Sequence, residues 1–92
     1  GRRPMTRRRV IYHGRVQGVG FRYTVRAIAG RHPVAGFVRN LSDGTVELVA
    51  DAESPDLEMF LQDVASTLGG NITSTSDTPA PADALSGFRI RY

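Results

Sequence analysis

The spacing of apolar residues divides the first half of the chain into a strand, a helix and a second strand. In residues 9–13 alternate positions share a face, with Val10 and Tyr12 on the same side, which predicts a strand. Residues 21–31 carry apolar side chains three and four positions apart, which is typical of a helix with one buried stripe. This stripe consists of Phe21, Val25, Ile28 and Ala29. A strand pattern returns in residues 34–41.

The second half opens with a turn signal at residues 41–44, and the alternation in residues 45–51 predicts the other arm of a hairpin. Ser54 and Pro55 are a strong start signal for a helix, with Ser54 as the N-cap and Pro55 at the first helical position. The apolar face of this helix consists of Leu57, Phe60, Leu61, Val64 and Leu68. The glycine pair at 69–70 ends it.

The last quarter of the chain is more polar. Residues 71–77 are mostly Ser, Thr and Asp, with Ile72 as the one strongly apolar residue, so they predict at most a short edge strand. Residues 78–86 form a loop rich in Pro and Ala. Residues 88–92 alternate between apolar or aromatic side chains and arginines, which predicts that the chain ends in a strand.

The predicted order of elements is strand, helix, strand, strand, helix, strand. This order is typical of an α+β fold, the ferredoxin-like βαββαβ sandwich, in which two helices cover one face of an antiparallel sheet. The sheet is expected to have four strands, or five if a short extra edge strand forms. Residues 1–8 are predicted to be a basic N-terminal tail, and residues 9–92 are predicted to form one domain.

Composition narrows the class of protein. The 92 residues include no cysteine, which excludes disulfides, thiolate metal sites and a cysteine nucleophile. The sequence has no apolar run long enough for a membrane span or for the core of a signal peptide. A soluble, cytoplasmic monomer that does not bind membranes is therefore expected.

Charge is divided unevenly along the chain. Residues 1–40 contain ten arginines and no acidic residue, whereas residues 41–92 contain nine acidic residues and two arginines. The basic half suits a small anionic substrate and also suits nucleic acid, so charge alone does not choose between them. Arg15, Arg26 and Arg39, like the arginines of the N-terminal tail, are expected to be solvated.

The densest chemical signal is GRVQGVGFR, residues 14–22, between the first strand and the first helix. Its three glycines permit positive φ and let backbone N–H groups approach a ligand closely. Successive N–H groups of such a loop can form an anion-binding concavity. The start of a helix adds further unpaired N–H groups, and Arg22 adds a forked cation. The segment therefore predicts a site for a phosphate-sized anion. A turn that uses glycine only for its geometry remains the alternative at this level.

Two common phosphate loops do not match this segment. The nucleotide-triphosphate loop needs Lys followed by Ser or Thr after its last glycine, and here Phe21 and Arg22 take those places. The dinucleotide fingerprint needs a third glycine where Tyr23 stands. A nucleotide fold of either class is therefore not expected.

Three segments together resemble the acylphosphatase family: GRVQGVGFR at 14–22, GFVRN at 36–40 and DGTVE at 43–47. The C-terminal FRIRY also resembles the ending of that family. The resemblance covers residues 9–70 and the last five. Phe37 stands where the family often has Trp, so an aromatic residue is kept.

This resemblance implies the ferredoxin-like fold and hydrolysis of the carboxyl–phosphate anhydride of acyl phosphates, which gives a carboxylate and inorganic phosphate. It places the catalytic arginine at Arg22 and the catalytic asparagine at Asn40, which would orient water. Backbone amides that hold the phosphate are implied at Arg15, Val16, Gln17, Gly18, Val19, Gly20 and Phe21. The implied partners are a small-molecule acyl phosphate and inorganic phosphate, without a cofactor or a metal ion.

Two other functions remain open from the sequence. RNA-recognition domains share this order of elements and present aromatic and basic residues on the sheet, so a non-catalytic anion- or RNA-binding module is the alternative. The predicted sheet lacks that aromatic consensus, and nucleic acid is therefore not expected as a partner. A domain separated from a larger carbamoyl-transfer enzyme is the other possibility, but the chain ends directly after its last strand, which favours a free-standing protein.

Overall fold

A computed structural model describes residues 5–80 and 87–91 of the chain. The elements there are β1 (Met5–Gly14), α1 (Phe21–Ala29), β2 (Ala35–Asn40), β3 (Val46–Glu53), α2 (Ser54–Leu68), β4 (Ile72–Ala80) and β5 (Phe88–Arg91). A single 3₁₀ turn, Gly69–Asn71, joins α2 to β4. Within these residues, neither helix has the length and apolar character needed to cross a membrane.

The strands of the described residues form one sheet in the order β4–β1–β3–β2–β5. β1 lies antiparallel to both β3 and β4, and β2 lies antiparallel to β3. β5 pairs with β2 in parallel, with Gly36 opposite Phe88 and Arg39 opposite Arg91. The predicted ferredoxin-like α+β fold is confirmed with five strands, but the sheet is mixed rather than antiparallel throughout.

The hydrophobic core lies between the two helices and one face of the sheet. All four residues of the predicted α1 stripe are buried, and the ring of Phe21 lies 5.3 Å from the ring of Tyr12 on β1. Full burial of a side chain as large as phenylalanine contributes about 1.5–3 kcal/mol. This contact therefore fixes the first turn of α1, and with it the end of the glycine loop, against the sheet.

Helix α2 begins one residue earlier than the sequence indicated. Glu53, with an extended backbone, occupies the N-cap position and Ser54 lies in the first turn, so the prediction of Ser54 as N-cap is wrong. β3 runs directly into the helix and leaves no separate cap residue, while Pro55 keeps a place in the first turn where its missing N–H costs nothing. The buried face consists of Leu57, Phe60, Val64 and Leu68. Leu61 is partly buried.

Strand β1 begins at Met5, so residues 5–8 lie in the sheet rather than in a basic tail. They pair with β3, and the guanidinium of Arg7 donates two hydrogen bonds to the buried Asp51, of 2.6 and 3.0 Å. The expectation of solvated arginines is therefore wrong here, because the acidic partner comes from the second half of the chain. Residues 1–4 of the predicted tail lie outside the described residues.

The strand after α2 is longer than predicted. β4 includes residues 78–80, which the sequence assigned to a loop, and it completes the βαββαβ order by pairing with β1. Most of its side chains are exposed, which an edge strand tolerates. The C-terminal strand β5 is thus the added fifth strand, and the predicted loop at 81–86 and Tyr92 lie outside the described residues.

The sheet face opposite the helices carries a compact ionic network. The carboxylate of Glu47, only 3% exposed, accepts a hydrogen bond from Nε of Arg9 and another from Nε of Arg39, each 2.6 Å long. Burial alone raises the pKa of Glu47, but the hydrogen bonds and charges of the two arginines outweigh it and hold the pKa below its usual value. Arg39 is therefore paired rather than solvated as expected.

On the same face, the ring of Phe37 is not an open aromatic platform. The guanidinium of Arg91 lies 3.9 Å from the centre of the Phe37 ring, and that of Arg39 lies 5.9 Å from it. An arginine at such a distance covers the ring surface on which a nucleic acid base would stack. This arrangement argues against the RNA-binding alternative.

Candidate active site

The glycine loop links the end of β1 to the start of α1, as predicted. Gly18 and Gly20 both have φ of 75°, a left-handed conformation that costs most other residues about 1–2 kcal/mol. Gly20 is the N-cap of α1, and its carbonyl accepts hydrogen bonds from the N–H and the hydroxyl of Thr24. The loop can therefore turn sharply and still open a regular helix.

The first half of the loop is held by contacts outside it. The N–H of Arg15 donates to the carbonyl of Asn71 over 2.9 Å, and the side chain of Val16 is buried in the core. These contacts join the loop to the segment before β4 and to the hydrophobic core. The loop is therefore fixed to the fold before it reaches Gly18.

The side chain of Gln17 ties the loop to the β2–β3 hairpin. Its Nε2 donates to the carbonyls of Leu41 and Thr45, each over 2.8 Å. The sequence assigned Gln17 only a backbone role, because its partners lie 24 and 28 residues away and no local pattern indicates them. The two segments that carry the predicted site are thus joined by one amide group.

Between the loop and the end of β2 lies a cavity of about 230 Å³, here called the loop cavity. It is lined by Val16, Gly18, Gly20, Phe21, Arg22, Tyr23 and Asn40. The structure therefore brings Arg22 and Asn40 together with four of the seven predicted loop residues. Arg15, Gln17 and Val19 do not line the cavity, and Tyr23 is a lining residue that the sequence did not single out.

Arg22 is the second residue of α1 and is half-buried. Its Nη1 donates to the backbone carbonyl of Arg91 over 3.4 Å, which places its side chain near the end of β5. A permanent cation in the first turn of a helix adds to the positive end of the helix dipole. This part of the loop cavity is therefore suited to an anion.

Asn40 is the last residue of β2 and lines the cavity from the opposite element. Its side-chain oxygen Oδ1 is buried and has no hydrogen-bond donor among the described residues. Buried polar atoms nearly always have a partner, from protein or from ordered water. The Asn40 oxygen thus fits a bound water or another small donor.

The turn after Asn40 is ordered by its own side chains. The carboxylate of Asp43 accepts hydrogen bonds from the hydroxyl and the N–H of Thr45, and these bonds, the hydroxyl first, hold the pKa of Asp43 below its usual value. Thr45 also supplies one of the two carbonyls that Gln17 binds. The end of β2 is therefore held in a fixed place relative to the loop.

The described residues contain no group of three His, Asp or Glu side chains that could hold a metal ion. His32 lies at the far end of α1, where its Nε2 is 2.9 Å from a carboxylate oxygen of Asp63. His13 is on β1 and does not line the loop cavity. The polar groups that the described residues bring to the cavity are thus a guanidinium, backbone groups, a carboxamide and the phenol of Tyr23.

Sequence comparison identifies close relatives over nearly the whole chain. The sequence profile of the acylphosphatase family matches residues 8–90. An acylphosphatase of Bacillus licheniformis is 48% identical over 92 residues, which cover 96% of this chain and 100% of that protein. An acylphosphatase of Methanospirillum hungatei is 47% identical over 68 residues, covering 74% of this chain and 75% of the relative.

Solved structures give the same answer. The crystal structure of acylphosphatase from Bacillus subtilis matches with a TM-score of 0.84 and 34% identity, covering 95% of this chain and 99% of that one. An acylphosphatase structure from Coxiella burnetii matches with a TM-score of 0.82 and 30% identity, covering 95% and 93% of the two chains. The extent of these matches shows that the chain belongs to the acylphosphatase family, enzymes that hydrolyse acyl phosphates.

Proposed function

We propose that this acylphosphatase holds the phosphoryl group of its substrate with Arg22 and the backbone amides of residues 16–21, while Asn40 orients the attacking water. The N–H of Arg15, which the sequence included among these donors, is instead bound to the carbonyl of Asn71. One observation carries the proposal. The cavity that Arg22 lines also contains Asn40, whose buried Oδ1 has no donor among the described residues. A cation for the substrate and an acceptor for water thus share one small space.

Binding of the phosphoryl group needs donors spread around its oxygens. The guanidinium of Arg22 can donate two parallel hydrogen bonds to two of these oxygens. Amides of the loop, backed by the positive end of α1, supply the rest. Because these donors are already in place when the reaction starts, they stabilise the charge of the transition state without reorganisation.

The chemical step needs neither a strong base nor a strong acid. Asn40 cannot take a proton at neutral pH, but its Oδ1 can accept a hydrogen bond and so place a water in line with the bond to be broken. The water oxygen bonds to phosphorus, the bond from phosphorus to the acyl oxygen breaks, and the electron pair leaves with the carboxylate. One proton of the water stays on the attacking oxygen and the other passes to a phosphate oxygen, so the products are a carboxylate and inorganic phosphate.

Asn40→Ala tests whether Asn40 positions the water while Arg22 and the loop bind the phosphate. Turnover of benzoyl phosphate should fall at least about 10²-fold, the size of effect seen when a positioned polar group is lost. The inhibition constant of inorganic phosphate should change less than about threefold, because Arg22 and the loop remain, and a threefold change is only about 0.65 kcal/mol.

The matched control is Asn71→Ala, which removes the other asparagine side chain of the sequence and keeps the backbone carbonyl that binds Arg15. This variant should hydrolyse benzoyl phosphate at the wild-type rate. If Asn40→Ala also turns over at the wild-type rate, Asn40 does not position the water.

Cytoplasmic location, a monomeric state and the absence of a nucleic acid partner stay predictions from the sequence.

A further inference from the structure

A second cavity, of about 280 Å³, lies beside the loop cavity. It is lined by Tyr23, Arg26, Phe88, Arg89 and Ile90, which come from α1 and β5. Tyr23 lines both cavities, so the two spaces share a wall. Its lining from the described part of the chain includes two arginines and no acidic residue.

Arg26 extends the positive charge of Arg22 along one face of α1. The two residues are four positions apart, a spacing that puts their Cβ atoms about 5–6 Å from each other. No carboxylate among residues 5–80 and 87–91 pairs with Arg26 or Arg89, whereas five other arginines of the chain do have one. Within the described residues, the charges of Arg26 and Arg89 are therefore not balanced by an ion pair.

Strand β5 runs from the second cavity to the side chain of Arg22. Arg22 contacts the carbonyl of Arg91 at the end of β5, and Arg89 lies two residues earlier, about 7 Å along a strand. A substrate whose phosphoryl group sits at Arg22 can therefore extend past Tyr23 toward Arg89. That span fits a short acyl chain or one aromatic ring.

Resting on the proposed function, we propose that this second cavity is the acyl subsite and that Arg26 and Arg89 select acyl phosphates whose acyl group carries a second anionic group. A carboxylate or a phosphate at the far end of the acyl group would accept hydrogen bonds from these guanidinium groups. Tyr23 and Phe88 would contact the carbon skeleton between the two anionic ends. The phosphoryl end of the substrate stays at Arg22 in the loop cavity.

Two matched substrates test the acyl subsite: benzoyl phosphate and 4-carboxybenzoyl phosphate, which differ only in the far carboxylate. The rigid ring prevents that carboxylate from attacking its own anhydride. Wild type should prefer the carboxylated substrate in kcat/KM. Arg26→Gln and Arg89→Gln should each lower this preference about threefold, the effect of an exposed ion pair, because only the carboxylated substrate contacts these guanidinium groups.

Arg31→Gln is the charge-matched control, because Arg31 lies beyond the end of α1 and pairs with Asp63 over 3.4 Å. It removes the same charge from the molecule but should leave the preference intact. A higher salt concentration should reduce the preference in wild type, since the groups are exposed to solvent. A third substrate, 4-phosphonobenzoyl phosphate, distinguishes the two anions, because a larger preference for it identifies a phosphorylated acyl group.

Two outcomes separate the subsite from the proposed function. If wild type hydrolyses benzoyl phosphate but shows no preference for the anionic substrates, or if Arg31→Gln lowers the preference as much as Arg26→Gln, the acyl subsite is wrong and the proposed function stands. If wild type hydrolyses none of the three substrates, the proposed function fails.

Discussion

At the scale of single residues, Arg22 and Asn40 contribute different chemistry to the same cavity. The guanidinium carries a fixed charge and a planar fork, whereas the carboxamide is neutral and offers an acceptor. The sequence indicated both residues through short segments that resemble a family, and the structure places both at the loop cavity. The sequence could not indicate that the Asn40 oxygen is buried without a donor among the described residues, because burial depends on elements far along the chain.

Arg22→Lys tests whether charge or geometry matters at this position. Lysine keeps the positive charge but loses the fork, so turnover of benzoyl phosphate should fall about 10²–10³-fold, the cost of losing a preorganised donor. Inorganic phosphate should also stop acting as a competitor. Steady-state kinetics with added phosphate measure both effects, and Arg31→Lys controls for the substitution itself. A lysine variant with wild-type kcat/KM would show that a point charge is sufficient.

At the scale of elements, the site depends on how the glycine loop meets the β2–β3 hairpin. The loop supplies Arg22 through α1, and the hairpin supplies Asn40 at the end of β2. Gln17 is the side chain that joins them, through two hydrogen bonds of 2.8 Å to hairpin carbonyls. Each element was predicted from local pattern, but the hydrogen bonds of Gln17 that join them were not.

Gln17→Ala removes both of these hydrogen bonds. The carbonyls of Leu41 and Thr45 each lose one of two donors and keep a backbone N–H, so the free energy of unfolding should fall by about 1–2 kcal/mol. kcat/KM for benzoyl phosphate should fall about tenfold, because a small shift of Asn40 relative to Arg22 spoils the alignment of the water. Urea unfolding and steady-state kinetics measure the two effects.

The control for this variant is Gln62→Ala on the exposed face of α2, which should change stability by less than about 0.5 kcal/mol. Gln17→Glu should be worse than Gln17→Ala, since a carboxylate cannot donate to the two carbonyls and is repelled by them. Wild-type kinetics in Gln17→Ala, together with a loss of stability, would limit this side chain to a structural role.

At the scale of the whole molecule, the fold redistributes a charge pattern that the sequence separates into two halves. β1 lies between β3 and β4, so its arginines meet acids from the second half: Arg7 with Asp51, Arg8 with Asp77 and Arg9 with Glu47. Arg26 and Arg89, which line the second cavity, have no such acidic partners among the described residues. The positive field is therefore concentrated where an anionic substrate would arrive.

Glu47→Gln tests the ionic network of the sheet. Loss of the buried carboxylate between Arg9 and Arg39 should lower the free energy of unfolding at pH 7 by about 2 kcal/mol, a value reduced because both arginines are partly exposed. Because the folded-state pKa of Glu47 lies below that of the unfolded chain, the wild-type carboxylate stabilises the fold above about pH 4.3 and loses this effect as the pH falls through the folded-state pKa.

Urea unfolding at a series of pH values between 7 and 3 measures this dependence. Wild type should lose more stability on acidification than Glu47→Gln, which has no carboxylate to titrate at this position. Glu58→Gln, at an exposed position of α2, should follow the wild-type curve. Parallel curves for wild type and Glu47→Gln would mean that the network does not stabilise the fold.

By itself, the sequence determined the elements whose signals are local. The period of apolar residues predicted α1 with its four buried side chains, and the glycine-rich segment predicted a turn between a strand and a helix. It also indicated Arg22 and Asn40 as candidate site residues, because both lie in segments that resemble the acylphosphatase family. Local periodicity and turn chemistry are properties of neighbouring residues, and they can be read without the rest of the chain.

Only the tertiary structure decided the features that join distant segments. It decided that residues 5–8 are a strand, because they pair with β3, more than 40 residues away along the chain. It also decided that β5 lies parallel to β2 and forms a wall of the second cavity. It also brought Arg22, on α1, to the same cavity as Asn40, on β2. Pairing across a sheet and burial between layers depend on the whole fold, so no short stretch of sequence contains them.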